Sequence, residues 1–181
     1  MFNEIKRVQQ NAQLLHTETE VEEALDAMAD KINASLATLD PILLCVMNGG
    51  IVTAGKLMTR LTFPLTLDAI NVSRYGSQTH GGEINWLQKP VSSLQGRTVL
   101  VVDDILDQGL TLHAIYQYCQ QQGANHVYSA VLVDKQIANT KPVQADFIGL
   151  SVADHYLYGY GMDYKGYLRN AAGIYACAKN V

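Results

Sequence analysis

Residues 99–112 read VLVVDDILDQGLTL. Val99, Leu100, Val101 and Val102 are consecutive apolar residues, three of them β-branched, the pattern of a strand buried on both faces of a parallel sheet. The strand leads into three carboxylates, Asp103, Asp104 and Asp107. Gly109 and Thr111 follow, and Leu112, Ile115 and Cys119 then recur at helical spacing. A helix starting near Gly109 presents unpaired backbone N–H groups and the positive end of its dipole to the preceding loop. Anion-binding amides beside a row of acids suit a ligand with both a phosphate and sugar hydroxyls. The amides and Thr111 hold the phosphate; the acids accept from hydroxyls and help place a metal. An Asp-Gln-Gly turn with solvated acids is the plainer alternative.

Outward from this run, strand and helix patterns alternate. Residues 3–15 read as a short helix. Residues 20–38 form a clearer one, with Val21, Leu25, Met28, Ile32 and Leu36 on one face and Thr17 or Thr19 as cap. Pro41 opens a buried strand, Ile42 to Met47, ending at Asn48-Gly49-Gly50, and a helix follows to about Leu61. Further strand patterns cover Leu65 to Val72, Val127 to Val133 and Phe147 to Leu150. Tyr75 to Glu83, YGSQTHGGE, reads as a mobile loop. This alternation predicts an α/β fold. A central, mostly parallel sheet is flanked by helices, with the site at the strands' C-terminal ends. The stretch from Ser151 onward, rich in Tyr and Gly, breaks the rhythm and is expected to form a small lid. The 181 residues fit one domain, 1–181, with its core at about 35–150 and a hood from the N-terminal segment and about 151–181.

Hydrophobic residues make up 48% of the chain and charged residues 17%, with a net charge of -4. That balance argues against a general nucleic-acid or membrane-surface binder, which needs clustered Lys and Arg. An anionic substrate must then be held by helix ends, a divalent cation and a few placed side chains. Cys45, Cys119 and Cys177 lie far apart in apolar contexts and read as buried free thiols of a reducing compartment. The opening MFNEIKRVQQ lacks a signal-peptide core, and no segment approaches the ~20 apolar residues of a membrane span. A cytoplasmic protein is expected. The five histidines show no metal-site spacing.

Gly50 to Leu57, GIVTAGKL, comes within one residue of the phosphate-binding pattern of nucleotide hydrolases. Leu57 stands where a magnesium-binding hydroxyl is required. Ile51, Val52 and Ala54 suit a packed helix better than a cradle of amides.

The run at 99–112 resembles the phosphoribosyl-pyrophosphate motif of the type I phosphoribosyltransferases, and other segments from Pro41 to Arg169 resemble the hypoxanthine-guanine branch. The resemblance implies that Asp103, Asp104, Ile105, Leu106, Asp107, Gln108, Gly109, Leu110 and Thr111 bind the sugar phosphate, with Asp107 as general base. It implies a pyrophosphate site at Asn48, Gly49 and Arg169, with a strained or cis peptide possible in the glycine loop. It implies a catalytic flap opened by Arg74 and Tyr75. The purine site falls at Lys135, Tyr156, Leu157 and Asp163, and magnesium at Asp103, Asp104 and Asp163. Lys135 alone is an ordinary solvated charge. In this pattern its ammonium, which donates and cannot accept, selects a 6-oxopurine over adenine. A purine stacked on Tyr156 is stabilised by on the order of 1–3 kcal/mol. The chain departs from the common pattern at Asn48 for a basic residue, Arg74 for Ser, Gln108 for Thr, and Leu110 for a polar residue.

The implied activity is purine salvage, from phosphoribosyl pyrophosphate and a free 6-oxopurine base to the nucleoside monophosphate and pyrophosphate. The implied assembly is a homodimer or homotetramer. A non-catalytic sensor of the sugar diphosphate or a nucleotide on the same fold is the alternative.

Overall fold

Apolar residues on alternating positions of successive strands sort the core into two layers. The structure, a computed structural model, describes residues 1–75 and 83–178. Its elements in chain order are α1 (Phe2–Asn11), β1 (Gln13–His16), α2 (Glu18–Leu36), β2 (Ile42–Met47), α3 (Ile51–Met58), β3 (Thr66–Tyr75), β4 (Glu83–Gln88), β5 (Thr98–Leu106), α4 (Leu110–Gln121), β6 (His126–Gln136), β7 (Phe147–Ala153), β8 (Leu157–Tyr158) and β9 (Ile174–Ala176). The main sheet has the order β4-β3-β2-β5-β6-β7, parallel throughout except for the antiparallel β3–β4 pair. It is the expected mostly parallel α/β sheet flanked by helices.

Leu43, Cys45, Leu100, Val102, Ala130 and Leu132 face α2 and α3. Ile42, Leu44, Val46, Val99, Val101 and Val131 face α4, through Leu112, Ile115 and Cys119. Both faces are covered, so β2 and β5 read as unbroken apolar runs with no hydrophilic side. Thr17 caps α2 in a reciprocal capping box with Glu20.

A second, three-stranded antiparallel sheet, β1-β9-β8, joins the N-terminal segment to the C-terminal stretch. Tyr158 and Tyr175 stack across it at 5.1 Å, and Ile5 and Val8 of α1 pack with Tyr158 and Tyr164.

Several boundaries differ from the sequence reading. The first helix stops at Asn11 because Ala12 turns extended and the following residues pair with β9; long-range pairing overrides local helix preference there. α3 ends at Met58, where the amides of Arg60 and Leu61 fold back onto the Leu57 carbonyl. β5 continues through Asp103 and Asp104 to Leu106, so these acids lie within the strand and not in the loop after it. β7 runs to Ala153, past the expected start of the lid. Tyr75 and Glu83, expected in the mobile loop, pair with each other across β3 and β4. The remainder of that loop, 76–82, lies outside the described residues. Cys45 and Cys119 are buried, whereas Cys177 is only partly so.

Candidate active site

A parallel sheet leaves its strand ends open where successive loops diverge, and here the C-terminal ends of β2, β5 and β6 open into a cleft of about 420 Å³. Asn48, Gly49, the whole run from Asp103 to Thr111, Lys135, Tyr156, Leu157, Asp163 and Arg169 line it. The backbone of Arg74 and Tyr75 forms the end of β3.

The floor is set by glycine. A Cβ on Gly49 would lie 2.1 Å from Asp104 Oδ2, and one on Gly50 would lie 2.5 Å from the Val102 carbonyl. The loop after β2 therefore sits directly on the acidic end of β5. The Met47–Asn48 peptide in that loop is cis. Burial pushes the carboxyl groups of Asp103 and Asp104 above the usual carboxylate range, and for Asp103 the adjacent Asp104 charge adds to the effect. Arg169 stands 3.9 Å from Asp104.

At the next turn, Gly109 adopts φ +79°, a left-handed conformation suited to glycine, and α4 begins. No side chain caps this helix, so its first-turn amides and positive dipole end face the cleft. A Cβ on Gly109 would lie 3.3 Å from Lys141 Cβ and 3.3 Å from Pro142 Cδ, so the 140–143 loop packs against this turn.

The other end of the cleft is an ion-pair cluster of side chains from β6 and two loops. Lys135 Nζ lies 2.9 Å from Asp107 Oδ1 and 3.0 Å from Asp154 Oδ1, and donates to the His155 carbonyl at 3.4 Å. Burial lowers the Lys135 pKa, but the two carboxylates outweigh it, so the side chain holds its proton more firmly than an ordinary lysine. Tyr156 stays 56% exposed in the cleft wall, its ring in an edge-type contact with Tyr164 at 5.5 Å. Leu157, which follows in β8, is buried.

The C-terminal stretch closes over the loop after β2. Gly161, at φ +103°, approaches so closely that a Cβ would lie 2.1 Å from the Gly49 carbonyl. Arg169 ties this turn together, donating to the Gly161 carbonyl at 2.5 Å and pairing with Asp163 at 2.7 Å. Asp163 also accepts from the Gly166 amide at 2.6 Å.

Asp163 is thus engaged by Arg169 and the Gly166 amide, beside the Asp103 and Asp104 end of β5. Among the described residues no three His, Cys, Asp or Glu side chains converge to hold an ion by themselves. Two adjacent acids on an open cleft still fit magnesium, which keeps several waters and is typically bound by one or two carboxylates together with substrate phosphates.

Several contributors were not legible as such. Asp154 is a second carboxylate on Lys135; only its place two residues before Tyr156 hints at the site. Lys141 donates to the Leu106 carbonyl, Asp134 and the Lys135 carbonyl. Glu22 accepts from Tyr160 at 2.6 Å and pairs with Lys56 and Arg60, anchoring the residue beside Gly161 to α2 and α3. This also settles the near-match at 50–57: Lys56 is engaged by Glu22, and Leu57 is fully buried. No helix among the described residues is long and apolar enough to cross a membrane.

The model of the phosphoribosyl transferase domain matches residues 11–165. The chain belongs to this phosphoribosyltransferase family. It is 30% identical over 169 residues to a hypoxanthine-guanine phosphoribosyltransferase of Streptococcus pneumoniae, covering 93% of this chain and 91% of the relative. It is 29% identical over 171 residues to the bifunctional protein TilS/HprT of Listeria innocua, covering 94% of this chain and 26% of that protein. The chain therefore spans about a quarter of that relative's length. In fold, it superimposes on a hypoxanthine phosphoribosyltransferase from Staphylococcus aureus with a TM-score of 0.88, at 24% identity, covering 94% of each chain.

Proposed function

We propose that this chain transfers the phosphoribosyl group of phosphoribosyl pyrophosphate to hypoxanthine or guanine, giving IMP or GMP and pyrophosphate. One observation carries the reading: Asp107 and Lys135, an acceptor and a donor, face each other at 2.9 Å beside an exposed Tyr156 ring. N7 and O6 lie side by side on one edge of a 6-oxopurine. A purine entering edge-on against the pair meets the carboxylate with its imidazole N–H and the ammonium with its exocyclic oxygen. The matched relatives support the same substrate class, and nothing in them favours the non-catalytic alternative.

In this mechanism N9 of the base bonds to the anomeric carbon as the bond from that carbon to the pyrophosphate oxygen breaks. Asp107 takes the imidazole proton. The transition state is oxocarbenium-like, as at other glycosidic centres. The first-turn amides of α4 and the Thr111 hydroxyl bind the 5′-phosphate. Asp103 and Asp104 accept from the ribose hydroxyls, and Asn48, Gly49 and Arg169 border the diphosphate. Asp103 and Asp104, with Asp163 nearby, would hold magnesium, which when bound would supply positive charge to neutralise the leaving group. Arg74 and Tyr75 lead into the flap.

Steady-state pyrophosphate release measured with hypoxanthine, guanine, xanthine and adenine tests the reading. Turnover with hypoxanthine or guanine, abolished by excess chelator, is expected. Binding of phosphoribosyl pyrophosphate without turnover of any base would return the chain to the sensor class.

A further inference from the structure

The two residues assigned to the base are carried by different strands, and their spacing depends on how those strand ends are joined. Beyond Ile105 and Leu106 of β5, which register with Val133 and Asp134 of β6, no further β5–β6 pairing holds the two chains together. Asp107 follows Leu106 at once, and Lys135 follows Asp134. Lys141 sits across this gap. Its ammonium, on a side chain only 13% exposed, donates to the Leu106 carbonyl at 2.7 Å, to Asp134 Oδ1 at 2.6 Å and to the Lys135 carbonyl at 2.6 Å. An ammonium has three donors, and all three are used.

Two of the three acceptors are the backbone carbonyl just before Asp107 and that of Lys135 itself. The same loop packs against the Gly109 turn through Lys141 and Pro142. We propose that Lys141 is a positioning residue that clamps the β5 and β6 ends together and so fixes the distance between Asp107 and Lys135 in the base site. This rests on the function proposed above. When a base enters, Asp107 and Lys135 must part from each other and engage the purine. Their own ion pair then no longer holds the two strand ends, and the other partners of Lys135, Asp154 and the His155 carbonyl, lie after β7 and not on β5. Beyond the last paired residues of the two strands, Lys141 bridges the β5 and β6 ends throughout that exchange, because none of its partners is a base-facing group. An apolar substitute leaves two carbonyls without this donor and Asp134 with Gln136 as its remaining side-chain donor.

The test is Lys141→Met in the full chain, read in three ways. First, kcat/KM for hypoxanthine is expected to fall about 10–100-fold, the scale set by misplacement of about 1 Å. Second, affinity for phosphoribosyl pyrophosphate with magnesium, measured by calorimetry, is expected to fall by a smaller factor than kcat/KM for hypoxanthine, because α4, whose first-turn amides hold the phosphate, is anchored on the sheet by Leu112, Ile115 and Cys119. Third, amide hydrogen exchange is expected to accelerate at residues 104–109 and 133–138 and not in α2. This last readout does not need activity: a wild-type enzyme inactive on 6-oxopurines would remove the proposed function, and the exchange data would still decide the clamp. Wild-type exchange at both segments overturns the clamp, as does an equal loss of base and sugar-diphosphate affinity with faster exchange throughout the chain. If Lys141→Met does not fold, Lys141→Arg keeps the charge. Its planar donors cannot converge on three acceptors around one point, so the same pattern is expected at smaller amplitude; wild-type constants and exchange in Lys141→Arg count against the clamp.

Discussion

Gly49→Ala is a one-methyl perturbation whose effect can be worked out from coordinates. The new Cβ would stand 2.1 Å from Asp104 Oδ2, 2.5 Å from its Cγ and 2.8 Å from Oδ1, where ordinary contact begins at 3.4 Å. The carboxylate must retreat by 3.4 − 2.1 = 1.3 Å, or the loop after β2 must lift by as much. Asp104 is 7% exposed and has little free space, and the Gly49 carbonyl already lies under Gly161. Overpacking of this kind costs about 1–3 kcal/mol. For a domain of this size that corresponds to roughly 2–12 °C in melting temperature. A hydroxyl-binding carboxylate displaced by more than 1 Å is expected to weaken sugar-diphosphate binding by roughly 10²-fold. Calorimetric titration with phosphoribosyl pyrophosphate and magnesium, paired with thermal scans, reads both effects. Gly55→Ala is the control: it sits in α3 with nothing within 4 Å of its Cβ and should stabilise the protein by about 0.5–1 kcal/mol. Wild-type affinity in Gly49→Ala would refute the tight seating of this loop on Asp104.

Other outcomes follow from the same geometry. Asp107→Asn should lower turnover about 10²–10⁴-fold while keeping sugar-diphosphate affinity, checked by single-turnover kinetics beside titration. Glu22 is pushed up by burial, but its bonds from Lys56, Tyr160 and Arg60 prevail and bring its pKa from 4.5 down to about 2. A depressed carboxylate contributes stability that is present above its unfolded pKa and lost as pH falls through the folded one. Glu22→Gln should therefore show a shallower fall in melting temperature between pH 4.5 and about 2 than the wild type. Burial raises the thiols of Cys45 to about 11 and Cys119 to about 12, so at pH 8 iodoacetamide should label the partly exposed Cys177 first, with all three reacting alike in denaturant.

The central strands were legible because burial on both faces leaves an unbroken apolar signature, and β2 was read at its observed limits, Ile42–Met47. The helix at Gly109 was legible from its spacing of Leu112, Ile115 and Cys119. β4 was not: Ile84 and Trp86 turn inward, but exposed Leu87 blurs the alternation, and only pairing with β3 makes the segment a strand. β1 and β9 are short and hold together across most of the chain's length, a long-range contact that local propensity does not encode. In the site, residue types were readable and pairings were not. Asp107 and Lys135 are 28 positions apart (135 − 107), and the parallel register of β5 and β6, which local sequence does not encode, brings their strand ends near each other. Lys141 reads as a loop charge until three acceptors surround it.

The central claim is that Lys135 and Asp107 form a donor–acceptor pair matched to a 6-oxopurine. The most direct measurement is kcat/KM for hypoxanthine, guanine and adenine at saturating phosphoribosyl pyrophosphate, in the wild type and in Lys135→Ala. Adenine sets its own amino donor against the ammonium, and an unmatched buried polar partner costs about 1–3 kcal/mol. Rejection of a mismatched donor can be much stronger than rejection by an apolar pocket. The account predicts efficient turnover of hypoxanthine and guanine over adenine in the wild type. In Lys135→Ala it predicts a raised KM for both favoured bases, little change in the constant for phosphoribosyl pyrophosphate, and no good adenine activity. Adenine turned over as well as hypoxanthine by the wild type, or a Lys135→Ala variant weakened only toward the sugar diphosphate, would contradict it.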